Sequence, residues 1–537
     1  MKPYNILLIT TDQEQSFMDM PSNLSLKGHD RLREGAVAFR NFQVNTTPCG
    51  PSRSVIYTGQ HTQFTGMFTN PNVPPNPEVP RTMPTLGTML RELGYRTAYK
   101  GKWHLSNINH GIDFHSGRFP ETSRALEPWG FSDFNHDGDH HGIVWDGFKH
   151  DASIAADAAN WLLGMNGSKE DGKPWFLAVN FINPHDIMFY DATGTMARER
   201  LDPVRVAPLL PAPASPLYDE RLDLDLPKSF VDNLESKPVA HRRDLKLADI
   251  MYGFLPKENE AGWLNHRNYY YNCIRDVDRN IDVVLDALAR SGEADRTIII
   301  FTSDHGEMAG AHGMRQKGAS MYKEVVRVSF FVNHPDMKGP VETDALATSV
   351  DIAPTILDML GLPRGEVEAR WPALKGVSLL SALEGGTSER DVRGSLLDYT
   401  TTLAWDVAFV EAFFRGQARG EFTPEESAVL SRGISLDDYA CYRGVNDGRY
   451  KFARYFKPSE HHTPRDWETL LAHNQLELYD TQDDPDEMVN LAADSDAHQA
   501  LILSLNDKLN ALIETEIGVD DGSYYPKGQN YKLESPA

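Results

Sequence analysis

Three short apolar runs stand out along the chain: Asn5 to Thr10, Trp175 to Phe181 and Thr297 to Phe301. Each is apolar at successive positions, the pattern of a strand buried on both faces of a parallel sheet. Helical periodicity fills the stretches between them. In the clearest, Asn272 to Arg290, the residues Ile274, Val277, Ile281, Val284, Leu285 and Leu288 form one stripe, and Gly292 follows its end. Alternating strands and helices predict an α/β fold with a large, mostly parallel sheet flanked by helices. Ligands of such sheets bind beyond the carboxyl ends of the strands, so the residues that follow each run are where chemistry is expected.

Two regions break the alternation. From Tyr190 to about Pro256 the chain carries Pro203, Pro208, Pro211, Pro213 and Pro216, which predicts a long surface insertion over 190–256. Past residue 420, Arg449 to Phe456 alternates like an antiparallel strand and Glu477 to Asp480 reads as its short partner. The expected organisation is therefore a catalytic α/β domain over 1–420 and a small C-terminal α+β subdomain with a tail over 421–537.

Composition narrows the class. The chain has 537 residues and a net charge of −24, which argues against nucleic acid or any long polyanion as partner. No apolar run approaches the roughly 18–20 residues of a membrane span. The start of the chain lacks the apolar core and cleavage site of a secretory signal, so a cytoplasmic location is expected. Cys49, Cys273 and Cys441 are too few and too scattered for a disulfide framework.

Candidate chemistry gathers around Cys49-Gly50-Pro51-Ser52-Arg53. A loop precedes it, a short helical stretch follows, and Pro51 suits the first turn of that helix. Cys49 is thus expected at a helix N-terminus, where exposed N–H groups and Arg53 favour an anion. Taken alone, a thiol in this position is most often simple packing. A second segment, Gly94 to His104, ends in Gly101-Lys102-Trp103-His104; if its strand continues, Lys102 and His104 share a face by the period of two. The ends of the first and third apolar runs carry Asp12-Gln13 and Asp304-His305, oxygen and imidazole donors suited to a divalent ion. His185 follows the second run in Asn183-Pro184-His185-Asp186, and Lys317 follows the third, with Lys323 as a rival. A cluster of His136, His140, His141 and His150 around Asp137, Asp139 and Asp146 fits no zinc spacing. It is read as a solvated loop that ends in Asp151 as a helix N-cap.

The Cys-x-Pro-Ser-Arg pattern and the Gly-Lys-x-His pattern resemble the two signatures of the formylglycine-dependent (type I) sulfatases of the alkaline phosphatase superfamily. Gln13 and His305 depart from the usual pairs of that family. They are similar to the branch containing choline sulfatases and phosphonate monoester hydrolases. The resemblance runs from about Asn5 to Leu491. It implies that Cys49 is oxidised to formylglycine by a generating enzyme that reads Cys, Pro and Arg. It implies one divalent ion, Ca²⁺ or Mn²⁺, on Asp12, Gln13, Asp304, His305 and the residue made from Cys49; the imidazole favours Mn²⁺. Arg53, Lys102 and Lys317 would hold sulfuryl oxygens, His185 would protonate the leaving alcohol, and His104 would help expel sulfate. The expected activity is hydrolysis of a small sulfate ester to an alcohol and inorganic sulfate. The alternative on the same scaffold is a phosphonate monoester or phosphodiester hydrolase, in which the Lys-x-His pair generally gives way to Tyr and Thr. The C-terminal tail is the expected contact of any homo-oligomer, and the alcohol part of the substrate stays open.

Overall fold

The computed structural model describes all residues except 1–3, 72–76, 109–123, 135–137, 165–171, 197–207, 338–341, 402–405, 419–434, 436 and 522–537. The expected domain boundary at 420 and the C-terminal tail contact thus lie outside the described residues.

The three apolar runs are strands, as their pattern predicts. They form β1 (Asn5–Asp12), β5 (Trp175–Pro184) and β6 (Thr297–Ser303). With β2 (Val37–Gln43), β4 (Arg96–Gly101), β7 (Phe330–Asn333) and β8 (Glu342–Thr348) they build a seven-stranded sheet in the order β4-β5-β1-β6-β7-β2-β8. Pairing is parallel from β4 to β6 and between β2 and β8, while β7 runs antiparallel to both neighbours. The alternation along β1 explains why the sheet is buried twice. Ile6 and Leu8 enter one apolar core and Leu7 and Ile9 the other. Helix α1 (Cys49–Thr58) lies on the first face through Ile56 and Tyr57. The second face is covered by α2 (Asp146–Leu162) through Ile154, Ala158 and Trp161.

Two elements differ from the sequence pattern. The proline-rich stretch is not all surface: after Pro238 it forms α3 (Val239–Tyr252), whose His241 is buried between the hydroxyls of Tyr322 and Tyr455 at 3.0 and 3.1 Å. The long amphipathic helix α4 (Glu260–Ser291) starts a full three turns before the apolar stripe does. Its first half buries Trp263, His266, Tyr269, Tyr270 and Tyr271, residues of middling helix propensity that tertiary packing commits to the helix.

A second sheet of five strands runs β12-β11-β10-β9-β3, comprising β3 (Thr46–Thr47), β9 (Ser395–Tyr399), β10 (Cys441–Asn446), β11 (Tyr450–Phe456) and β12 (Gln475–Asp480). The predicted partners β11 and β12 pair antiparallel, Tyr450 opposite Asp480. At the other edge, Thr46 and Thr47 pair with Asp398 and Tyr399, so this sheet reaches the segment just before Cys49. Helix α5 (Gln499–Glu516) packs behind it and ends on Glu516. There the buried Arg390 bonds Asp351 at 2.7 Å and also Glu516, whose other oxygen meets His61 at 2.8 Å.

Removing Arg390 strands two buried carboxylates, which typically costs about 3–5 kcal/mol. Arg390→Ala should therefore lower the urea unfolding midpoint markedly. An unchanged midpoint would show that the network adds nothing to stability.

Candidate active site

Strands β1 and β6 are neighbours in register, Thr11 beside Ser303, so their carboxyl ends deliver Asp12-Gln13 and Asp304-His305 to one place. Helix α1 starts at Cys49 and points its first residue into the same place. Ligand atoms of Asp12, Cys49, Asp304 and His305, all buried, lie within 4.8 Å of one another. Cys49 Sγ is 3.2 Å from His305 Nε2 and 3.7 Å from Asp12 Oδ1. His305 Nδ1 sits 3.0 Å from the Gly306 carbonyl, and a proton donated there leaves the Nε2 lone pair facing the cluster. Gln13 joins from the side. Its N–H donates to Asp304 Oδ1 at 3.2 Å, and its Oε1 accepts from Lys317 Nζ at 2.6 Å.

Lys317 also reaches Cys49 Sγ, at 3.2 Å. The rival Lys323 points elsewhere, to the Pro485 carbonyl at 2.6 Å and Asp486 at 2.9 Å. Lys102 bonds Asp12 Oδ2 and donates to the His141 carbonyl at 2.8 Å. His185 follows β5 and is buried; a Cβ on Gly142 would sit 2.2 Å from its Nδ1, so only glycine lets the 138–146 loop close over the ring.

The pleat does not align Lys102 with His104, because β4 ends at Gly101. That residue has φ +85°, and a Cβ there would fall 1.9 Å from the Asn180 carbonyl. Beyond it the chain turns, and Asp139 holds the turn: its two oxygens accept the N–H groups of Trp103 at 2.9 Å and His104 at 2.7 Å. His104, at φ +56°, then stacks on His141 with ring centroids 5.2 Å apart.

Arg53 is held on one side by four acceptors. Its Nε donates to the Trp103 carbonyl at 2.9 Å, and its Nη2 to Tyr99 Oη at 2.8 Å, Asn180 Oδ1 at 2.7 Å and the Lys102 carbonyl. Its remaining Nη1 stands 3.6 Å from Asp304 Oδ2. The guanidinium thus braces the Lys102–His104 turn against Asp304.

The electrostatics follow from burial and neighbouring charge. Burial opposes ionisation of Asp12, but Lys102, then His185 and Lys317, outweigh it and hold the carboxyl well below its usual range. Asp304 is pushed up to about 7 by burial and by the charge of Asp12. Burial, then Lys102, depresses the His104 imidazole, and burial, then Lys317, does the same to His185. Both rings are neutral at pH 7. Asp304 Oδ2 is buried and accepts no hydrogen bond. An orphaned carboxylate oxygen, a second carboxylate and an imidazole nitrogen around one point are the donor set a divalent ion fits.

Asp12, Gln13, Cys49, Lys102, His104, His185, Asp304, His305 and Lys317 lie in or against this cluster with Arg53 beside them, and Lys323 lies away from it. Asn180 and Tyr99 were given no role, and Asp139 was read only as part of a solvated loop, since nothing in their spacing ties them to the signatures. The expected N-cap at Asp151 is displaced: α2 begins at Asp146, and Asp151 instead accepts the N–H groups of Ile182 and Asn183 at 2.8 and 3.0 Å. His136 and Asp137 lie outside the described residues.

A mostly parallel sheet carries at its strand ends a buried cluster of carboxylate, imidazole and thiol, a donor set that metal-dependent hydrolases use. The sulfatase family model matches residues 4–362, and the chain belongs to that family, that of the sulfuric ester hydrolases. It is 25% identical over 533 residues to an N-acetylglucosamine-6-O-sulfatase of Bacteroides thetaiotaomicron, covering 91% of this chain and 82% of that one. Identity to a choline-sulfatase of Rhizobium meliloti is 25% over 400 residues, 71% of this chain and 72% of that one. The solved phosphonate monoester hydrolase of Agrobacterium radiobacter shares the fold at TM-score 0.64 and 21% identity, covering 99% of this chain and 100% of that one. Among the described residues no helix is long and apolar enough to cross a membrane.

Asp139 positions Lys102 and His104 without reaching Cys49. Asp139→Ala should lower kcat/KM by roughly ten- to a hundredfold, the scale of a lost supporting contact or a small misplacement. Turnover equal to that of the unaltered protein would remove it from the site's frame.

Proposed function

We propose that the chain hydrolyses a small sulfate ester to an alcohol and inorganic sulfate, using a nucleophile made from Cys49 by conversion to formylglycine. The observation that carries this reading is the setting of Cys49 Sγ, 3.2 Å from both His305 Nε2 and Lys317 Nζ at the start of α1. An oxygen in place of that sulfur meets imidazole, carboxylate and ammonium together. Asp12, Gln13, Asp304 and His305 would hold one divalent ion, with Mn²⁺ favoured by the imidazole donor. When bound, the ion supplies positive charge where the attacking and sulfuryl oxygens gather negative charge.

The chain's own groups do the rest. Lys102 and Lys317 flank the cluster and neutralise sulfuryl oxygens as they move into the transition state. His185 is the acid for the leaving alcohol, since an anionic ester beside it raises the depressed affinity of the ring for a proton. His104, neutral at pH 7, is the base for the late step that releases sulfate. Arg53 positions the Lys102–His104 turn. We place the activity in the cytoplasm.

In preparations with activity, mass spectrometry of the peptide containing Cys49 should show the aldehyde or its hydrate. Full turnover from a peptide that carries only the thiol would sink the proposal. Chelation should abolish turnover and Mn²⁺ should restore it at least as well as Ca²⁺. Fully active protein without bound ion would refute the metal site.

Lys102→Ala should cost about a hundredfold in kcat/KM for sulfate esters, the effect of losing a well-aimed charged donor. His104→Ala should instead give a burst of alcohol followed by slow turnover, because it acts late. Should phosphonate monoesters be hydrolysed far faster than any sulfate ester, with both variants leaving that activity intact, the phosphonate hydrolase reading replaces this one.

A further inference from the structure

Beside the Cys49 cluster, and sharing no side chain with it, three more metal-ligating groups converge. Ligand atoms of His140, Asp146 and His150 lie within 4.8 Å of one another. Asp146 Oδ1 stands 3.8 Å from His140 Nδ1 and 3.6 Å from His150 Nε2. Both gaps are close to the separation of about 3.4 Å between donors around a tetrahedral ion with bonds of about 2.1 Å.

The carboxylate is held for this task. Asp146 Oδ2 accepts the N–H groups of Gly142 at 3.1 Å and Ile143 at 3.2 Å, which turns Oδ1 toward the two imidazoles. The carboxyl is kept at about 2; burial opposes its charge, while His140 and those N–H groups outweigh burial. His150 follows Asp146 by one turn on α2, so the helix presents both side chains in one direction. The imidazole rings are stacked at 3.7 Å and both side chains are partly exposed, which leaves an approach from solvent.

We infer that His140, Asp146 and His150 form a second divalent metal site, with two nitrogen donors, one oxygen donor and a position open to solvent. That donor set is of the zinc class rather than the calcium class. Coordination splays the two rings out of their stack and fixes the 138–146 loop. The loop matters to the neighbouring centre. The His141 carbonyl accepts from Lys102, the His141 ring stacks on His104, and Gly142 lies against His185. An ion here therefore acts as a brace for three groups of the ester site, distinct from the ion beside Cys49.

The test is metal uptake by the full-length protein after stripping, titrated with Zn²⁺ for stoichiometry and with Co²⁺ for the visible spectrum of its ligand field. The unaltered protein should take up two equivalents. His150→Ala and the more conservative His150→Gln should each take up one, with affinity at the altered site reduced at least a hundredfold. Asp304→Asn should keep the equivalent that His150→Ala loses, with a Co²⁺ spectrum of its own. A single equivalent that survives both His150 substitutions and is lost in Asp304→Asn overturns the inference, as does uptake unchanged by both His150 substitutions. Loss of both equivalents on changing His150 alone also overturns it, because independent sites cannot vanish together.

Discussion

Two carboxylates, Asp12 and Asp304, are buried side by side at the ends of adjacent strands, and the surroundings are organised by the need to balance them. Like charges out of water repel strongly and cannot both ionise unaided. Lys102 bonds Asp12, Arg53 Nη1 stands 3.6 Å from Asp304 Oδ2, and Lys317 reaches the neighbouring Cys49 Sγ. None of these cations is left to swing. Lys102 is fixed by the turn that Asp139 holds, Arg53 by the carbonyls of Trp103 and Lys102, and Lys317 by Gln13. The site is a set of charges in a rigid frame, which is what electrostatic preorganisation requires.

That frame extends through the second sheet. Thr46 and Thr47 form its edge, and Asn45 ties the segment further by donating to the Leu396 carbonyl at 2.7 Å and accepting from Ser349 and Val350 at 2.9 Å. The far end of α1 is secured as well, since His61 just beyond it meets Glu516 of α5. The C-terminal strands are therefore not an appendage. They hold the segment that carries Cys49 from behind, while β1 and β6 present its partners from the front.

Much of this was legible in the sequence because it is local. Apolar runs at β1, β5 and β6 announce buried strands, and the acidic residues that end them fall where a parallel sheet puts its ligands. The Cys49 and Lys102 segments were recognisable as spaced motifs. What escaped was long-range. The Lys102–His104 arrangement depends on Asp139 and on the close approach of Gly101 to Asn180, neither of which a strand period reports. The motif position of Arg53 likewise says nothing of the four acceptors that hold it. The pairing of β3 with β9 joins residues so far apart in the chain that no window of sequence contains both.

The concealment of α1 has a consequence for the order of events in synthesis. Cys49, Pro51 and Arg53 are all inaccessible once the chain has folded. Under the proposed conversion of Cys49, an enzyme that reads those three side chains has to meet them in an extended, newly made polypeptide. The strand that closes over the neighbouring threonines, Ser395–Tyr399, leaves the ribosome long after Cys49 does. Translation thus leaves a window in which the thiol is available, and completion of the second sheet shuts it. A molecule that folds before being modified is then sealed with an ordinary cysteine at its centre.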